Sequence, residues 1–201
     1  RREETFDAVI IAAPGHRATR IVESVDADLA RLIGQIPHAG AAVVVAAYRR
    51  ADVRHQLDGF GFVAPLREKR RILSGSLSSV KFPGRAPEDL VLMRAFLGGA
   101  CQPELLDYSD PQLLEAAHEE LADLLEIQGR PVFSQVVRWH GTMPQYHVGH
   151  IELVDEIEKR AAAIPGLALA GNAYRGVGIP FCIRSGEAAA QRIIDQLRKS
   201  S

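Results

Sequence analysis

The closing segment "LALAGNAYRGVGIPFCIRSGEAAAQRIIDQL", residues 167–197, restricts the fold more than any other part of the chain. "LALAG" is short, apolar and non-alternating, the texture of a strand covered on both faces. A glycine-rich turn follows, after which Cys182, Ile183, Ala189, Ile193, Ile194 and Leu197 recur at helical spacing. "DAVIIAAP" near the start has the same texture, so both ends of the chain are expected in one layer. The middle segments "GFGFVAP", "RRILSGSLSS" and "LVLMRAFLGG", the last two carrying arginine or serine, read as strands of a second layer.

Between these landmarks the pattern is mixed. "HRATRIVESV" and "DADLARLIGQI" have helical spacing, while "AGAAVVVAAY" is rich in valine and too short for a helix to be assigned. The middle strands make a sheet of about four. "SDPQLLEAAHEELADLLEIQG" is the clearest helix: Ser109 or Asp110 caps it, Pro111 suits its first turn, and Gly129 is expected to end it. "PVFSQVVRWH" alternates as a strand, and "VGHIELVDEIEKRAAAIPG" is helical up to Pro165. Strands in runs with helices in runs give an α+β class: a mixed-sheet layer with flanking helices, plus a strand, turn and helix like part of a Rossmann-type domain.

Composition removes several function classes. Lysine plus arginine (24) nearly cancel aspartate plus glutamate (25), which gives no electrostatic case for a nucleic-acid partner. With 47% apolar residues the chain can build a real core. No apolar run approaches the ~20 residues a spanning helix requires, and no secretory segment opens the chain. Cys101 and Cys182 show neither metal spacing nor a disulfide framework, which suits a reducing compartment and predicts two small core residues. The opening "RREETFDAVIIAAPG" lacks an initiator methionine and reads as the interior of something longer. His147 and His150 lie three apart but lack a third ligand, so no metal site is expected.

The turn holds Gly171, Gly176 and Gly178, where a backbone can take φ > 0 or press against a flat ligand. The helix behind it presents unpaired N–H groups and a partial positive charge. "GNAYRGVG" is not G-x-G-x-x-G, so a phosphate-cradling turn is not supported, and tight strand-to-helix packing explains the glycines equally well.

"LAGNAYRGVGIPFCIRSGEAAAQRI" resembles the carboxyl-terminal flavin-binding segment of protoporphyrinogen and coproporphyrinogen oxidases, within the amine oxidase group of FAD enzymes. "RWHGTMPQYHVGH" and "GFGFVAP" resemble two further stretches of the same oxidases, in the same order. The resemblance implies a chain divided into parts of an FAD-binding domain, 1–24 and 163–201, and a substrate-binding domain, 25–162. It implies FAD as cofactor, with the ADP part bound by an amino-terminal half that has no counterpart here, so FAD binding by these residues alone is not expected. Gly171, Val177, Gly178 and Ile179 would border the isoalloxazine, the last three along its pyrimidine edge, and Trp139 would lie beside it. Phe60, Gly61, Val63 and Phe96 would wall a tetrapyrrole pocket, with the Gly61 carbonyl facing a pyrrole N–H. Spacing alone makes those aromatics core residues.

The implied reaction oxidises a porphyrinogen, protoporphyrinogen IX or coproporphyrinogen III, to the porphyrin of heme biosynthesis, with oxygen as acceptor and no catalytic acid or base assigned. A helix N-terminus at N1 and O2 favours the reduced flavin; an effect of roughly 1 to 2 kcal/mol is about 20 to 45 mV. Implied partners are the amino-terminal half and, through apolar surface it would cover, a second copy; the implied location is cytoplasmic, peripheral at the membrane when full length. Another flavin amine oxidase, or a non-catalytic binding module, is the alternative. The family often has Asp where this chain has Phe181, which removes a possible helix cap.

Overall fold

Parallel pairing of the two ends comes first, because it creates the layer that carries the glycine turn. The computed structural model describes residues 3–200. β1 (Val9–Ile11) lies parallel to β7 (Leu167–Leu169), with Val9 opposite Leu167 and Ile11 opposite Leu169. Period-2 alternation splits the strand's side chains between two cores. Leu167 and Leu169 join Ile11 of β1 and Val22, Leu29, Ile33, Val154 and Ile157, contributed by α1 (Gly15–Val22), α2 (Ala27–Gly34) and α5 (His150–Ala162). Ala168 and Ala170 face the other way, onto Ala189 and Ile193 of α6 (Ile179–Ser200). Both faces of β7 are covered, and the small alanines let α6 approach closely, whereas β1, expected to be covered on both faces, leaves Val9 and Ile10 exposed. At the start of α2 the Asp26 carboxylate accepts from the Leu29 amide at 2.8 Å and from Arg160 Nε of α5 at 2.8 Å. Arg160 first, and the amide second, hold that carboxyl below the usual carboxylate range.

These elements form one compact unit, Arg1–His38 with Thr142–Ser201; the second is Ala39–Gly141. The limits differ from the expected divisions after 24 and 162. The apolar faces of α2 and α5 are shared with β1 and β7, which draws residues 25–38 and 142–162 into the unit of the chain ends.

The second unit is built on a five-stranded sheet in the order β3-β4-β5-β2-β6, one strand more than expected. Its strands are β2 (His38–Arg49), β3 (Gly61–Val63), β4 (Ile72–Leu77), β5 (Leu90–Gly98) and β6 (Phe133–Pro144). A short helix, α3 (Ser78–Lys81), follows β4, and α4 (Asp110–Leu125) covers one face. Val44, Ala46 and Tyr48 of β2 and Val91, Met93, Ala95 and Leu97 of β5 meet Leu113, Ala117 and Leu121 of α4 there. Ser109 is the cap of α4, its amide donating to Gln112 Oε1 at 2.9 Å.

Two expectations are corrected. The helix ends at Leu125, not Gly129: Glu126 turns into the left-handed region at φ 51°, so that Ile127 is buried and bridges Val53. Gly129 instead packs against the Asp52 carboxylate, which a Cβ would approach to 2.4 Å. Nor are both cysteines core residues: Cys101 is exposed and Cys182 half-buried.

Tyr48 is fully buried, and its hydroxyl lies 3.1 Å from His118 Nδ1 of α4. Burial pushes Tyr48 up to about 12. Burial first, then the Arg130 charge, pushes His118 below its ordinary 6.5, and burial does the same to His38 in the first unit. Between the lowered folded value and 6.5 the unfolded chain binds more protons, so stability rises with pH there. It is complete above 6.5 and is lost as pH falls through the folded value. Urea midpoints are therefore expected to drop from pH 7.5 to pH 5, and to drop less in His118→Gln; equal slopes in both proteins would refute the assignment.

Candidate functional site

The turn between β7 and α6 is held almost entirely by side chains. Gly171, at φ 119°, donates its amide to Ser185 Oγ of α6 at 3.1 Å. The Asn172 carbonyl accepts the Tyr146 hydroxyl at 2.6 Å, and that hydroxyl accepts the Gly176 amide at 2.9 Å. The Tyr174 carbonyl lies 2.8 Å from Nε2 of buried His150. Arg175 is tied outward to Asp155 at 2.5 Å and to Glu158 at 2.7 Å, and the two acids raise its pKa further.

Beyond Gly176 the chain is open. Phe181 and Cys182 donate to the Gly178 carbonyl at 2.9 and 3.0 Å, so Gly178 caps α6, and Pro180 has no N–H to satisfy. The amides of Val177, Gly178 and Ile179 have no acceptor among the described residues. They lie at the positive end of a 22-residue helix, flanked by Val177 and Ile179, which are 59% and 77% exposed. Phe181 does not leave a hole where a cap is lost. Its ring closes over Gly176 and sits under the Arg184 guanidinium at 4.6 Å.

In the second unit, register places most of the expected wall on one surface. Val63, Ser74, Phe96 and Val43 line up across β3, β4, β5 and β2, and Gly61, Ser76, Arg94 and Val45 form the neighbouring row. Both rows are on the sheet face away from α4, because Phe62, Ala95 and Val44 between them pack into the core. On β6, Val136 packs into that core and Arg138 bonds Asp110 of α4, so alternation turns Trp139 to the opposite face. Trp139 is about half exposed, and Phe60 lies exposed just before β3. Gly61 has no room for a side chain, since a Cβ would come 2.2 Å from the Gly75 carbonyl.

Sequence reasoning missed Tyr146, His150 and Ser185, whose role depends on contacts 14 to 30 residues away. It also missed Val43, Val45 and Arg94, though the period-2 pattern of β2 and β5 already divides their residues between two faces. His150 is occupied by Tyr174, and among the described residues no three His, Cys, Asp or Glu side chains gather as metal ligands. Nor is any helix among them long and apolar enough to cross a membrane.

Residues 1–194 match the family model for flavin containing amine oxidoreductase. The chain belongs to that family. It is 33% identical over 192 residues to the coproporphyrinogen III oxidase of Bacillus subtilis, covering 95% of this chain and 40% of that protein. It is 31% identical over 204 residues to a mitochondrial protoporphyrinogen oxidase of Nicotiana tabacum, covering 99% and 40%. A crystal structure from Exiguobacterium sp., of a protein provisionally classed as a protoporphyrinogen oxidase, superimposes with a TM-score of 0.79 at 26% identity, over 97% of this chain and 42% of that one. Cyclohexylamine oxidase from Brevibacterium oxydans shares the fold, with a TM-score of 0.67 at 17% identity over 95% of this chain and 43% of that one. The chain thus spans about 40% of the length of these curated relatives.

Proposed function

We propose that this chain is the flavin-rim and substrate-wall portion of an enzyme that oxidises a porphyrinogen to a porphyrin, with electrons passing through FAD to oxygen. The observation that carries the reading is the trio of unpaired amides at Val177, Gly178 and Ile179, set between exposed apolar side chains at a helix N-terminus. That combination fits a flat apolar ring with an electron-rich polar rim. When bound, FAD supplies a two-electron acceptor whose charge, once reduced, rests along N1 and the C2 carbonyl. The amides and the helix dipole orient that rim and favour its charged state. Gly171 is a further proposed flavin contact in the first unit, and Trp139 is the proposed one in the second.

Phe60, Gly61, Val63 and Phe96 are the proposed wall for the tetrapyrrole: flat, apolar and accessible, as such ligands require. Arg94 stands on the same face, beside Phe96, and its Nε donates to the neutral Ser78 hydroxyl at 3.1 Å, with no acid paired to it among the described residues. A cation there suits a substrate that carries carboxylates, as both porphyrinogens do.

The first unit also favours completion by further polypeptide of the same enzyme. Its sheet has two strands, each with one free edge, and such a sheet is marginal alone. The amino-terminal half implied by the resemblance is the proposed partner, and without it those edges and the exposed Val9 and Ile10 draw two copies together.

The test mixes this chain with the amino-terminal portion of the Bacillus subtilis relative and FAD. A yellow complex that is bleached by protoporphyrinogen or coproporphyrinogen under nitrogen, and that yields fluorescent porphyrin in air, is the expected result. Bleaching by amines alone assigns the chain to an amine oxidase. A colourless mixture that binds porphyrin leaves a non-catalytic module and ends the reading.

A further inference from the structure

The flavin reading leaves one question open within the first unit: what fixes the direction of the three free amides, when their loop makes almost no backbone hydrogen bonds of its own? Tyr146 and His150 do. A phenol hydroxyl has one proton to give and lone pairs to receive. Tyr146 uses both, giving to the Asn172 carbonyl at 2.6 Å and receiving the Gly176 amide at 2.9 Å. A single oxygen thus ties two points four residues apart, and sets the distance between the ends of the loop.

The Tyr146 ring is itself immobilised. It stacks on the His150 ring with centroids 3.8 Å apart and planes 13° from parallel. His150 is buried at the start of α5, and its Nε2 lies 2.8 Å from the Tyr174 carbonyl. A carbonyl only accepts, so Nε2 is the donor of that bond. One stacked pair therefore holds the loop at residues 172, 174 and 176, and the next three amides are those left free.

We infer that Tyr146, braced by His150, is a positioning residue for the flavin: its hydroxyl, through Gly176, sets the direction in which the amides of Val177, Gly178 and Ile179 point. This rests on the flavin reading above. A merely structural hydroxyl and a positioning one part company in Tyr146→Phe, which keeps the ring, its volume and its stack on His150. Loss of the hydroxyl leaves the Gly176 amide and the Asn172 carbonyl without their partner, and the loop relaxes about Gly176.

The experiment has two readouts on the whole chain. In the flavin-free chain, hydrogen exchange of the Gly176 amide, which the hydroxyl accepts at 2.9 Å, is expected to quicken at least tenfold in Tyr146→Phe, with the rest of α5 and α6 unchanged. In the complex reconstituted with FAD and the amino-terminal portion of the Bacillus subtilis relative, the variant is expected to weaken reduced FAD about tenfold more than oxidised FAD, which lowers the two-electron midpoint potential by about 30 mV. Unchanged exchange shows that the hydroxyl does not hold the loop and overturns the proposal. Faster exchange with an unchanged potential makes the hydroxyl structural only, and overturns it too. If the unsubstituted complex binds no flavin, the functional reading falls and this proposal with it, an outcome that control separates from the other two.

Discussion

Replacing Gly176 with alanine is expected to destabilise the first unit by about 2 to 3 kcal/mol and to weaken flavin binding by at least roughly tenfold. Two independent obstacles meet at this position. The backbone sits at φ 146°, a conformation that a residue with a side chain rarely adopts. A Cβ there would also lie 2.5 Å from Phe181 Cγ and 2.7 Å from Phe181 Cβ, atoms fixed close to the α6 backbone that cannot swing aside as a side-chain tip would. Relief requires the loop or the first turn of α6 to shift, and either movement displaces the amides of residues 177–179. Gly186 supplies the opposite control within the same helix. Nothing lies within 4 Å of its added Cβ, so Gly186→Ala is expected to stabilise the chain by about 0.5 to 1 kcal/mol through helix propensity. Urea unfolding of both variants, followed by flavin titration of the reconstituted complex, checks the pair. Gly176→Ala as stable as the parent, with unaltered flavin affinity, would show that the loop is not shaped as described.

The same contrast explains how much was legible beforehand. "DAVIIAAP" and "LALAG" announced one shared layer, and β1 and β7 do pair; the covering on both sides holds for β7, whereas Val9 and Ile10 of β1 stay exposed, so its apolar run did not report burial on two faces. The cap at Ser109 was readable because capping acts within one turn. The end of α4 was not: a glycine three residues beyond Glu126 looked like the stop signal, whereas the demand of Ile127 for the core, set by its bridge to Val53, decided the matter. The candidate site divides the same way. Glycines 171, 176 and 178 stood out because their backbone freedom is written in the residue type. His150 entered only as half of a histidine pair without a third ligand, and Tyr146 not at all, since a hydroxyl that bridges to residues 172 and 176 leaves no trace in local pattern. Phe181 read as a lost cap because its neighbours in sequence were known and its neighbour in space, Gly176, was not.

Glu120 carries the second large effect, and it too was invisible in sequence, where it is one of several glutamates on the clearest helix. Its side chain is 10% exposed, and its two oxygens accept from Arg70 Nη1 and from the Arg71 amide, each at 3.0 Å, just before β4 begins. The helix that covers the sheet is thereby pinned to the entry of one of its strands. Glu120→Ala strips the half-buried Arg71 amide of its acceptor and leaves the Arg70 guanidinium, itself 26% exposed, with Asp123 at 2.8 Å as its remaining acid among the described residues. Removing one partner of a fully buried ion pair costs about 3 to 5 kcal/mol, and the surviving contact and partial exposure reduce the expected loss here to about 2 to 3 kcal/mol. Glu120→Gln keeps a neutral acceptor for the Arg71 amide and should lose only about 1 kcal/mol. The measurement is the urea midpoint at constant m-value, repeated in 1 M salt, where a half-buried pair is screened far less than a surface one. If the loss arises from the stranded charge, the double variant Glu120→Leu with Arg70→Met recovers most of it. The remainder then reports the unsatisfied Arg71 amide. If the double variant is no more stable than Glu120→Ala, the ion pair contributes little and that amide alone anchors α4 to the sheet.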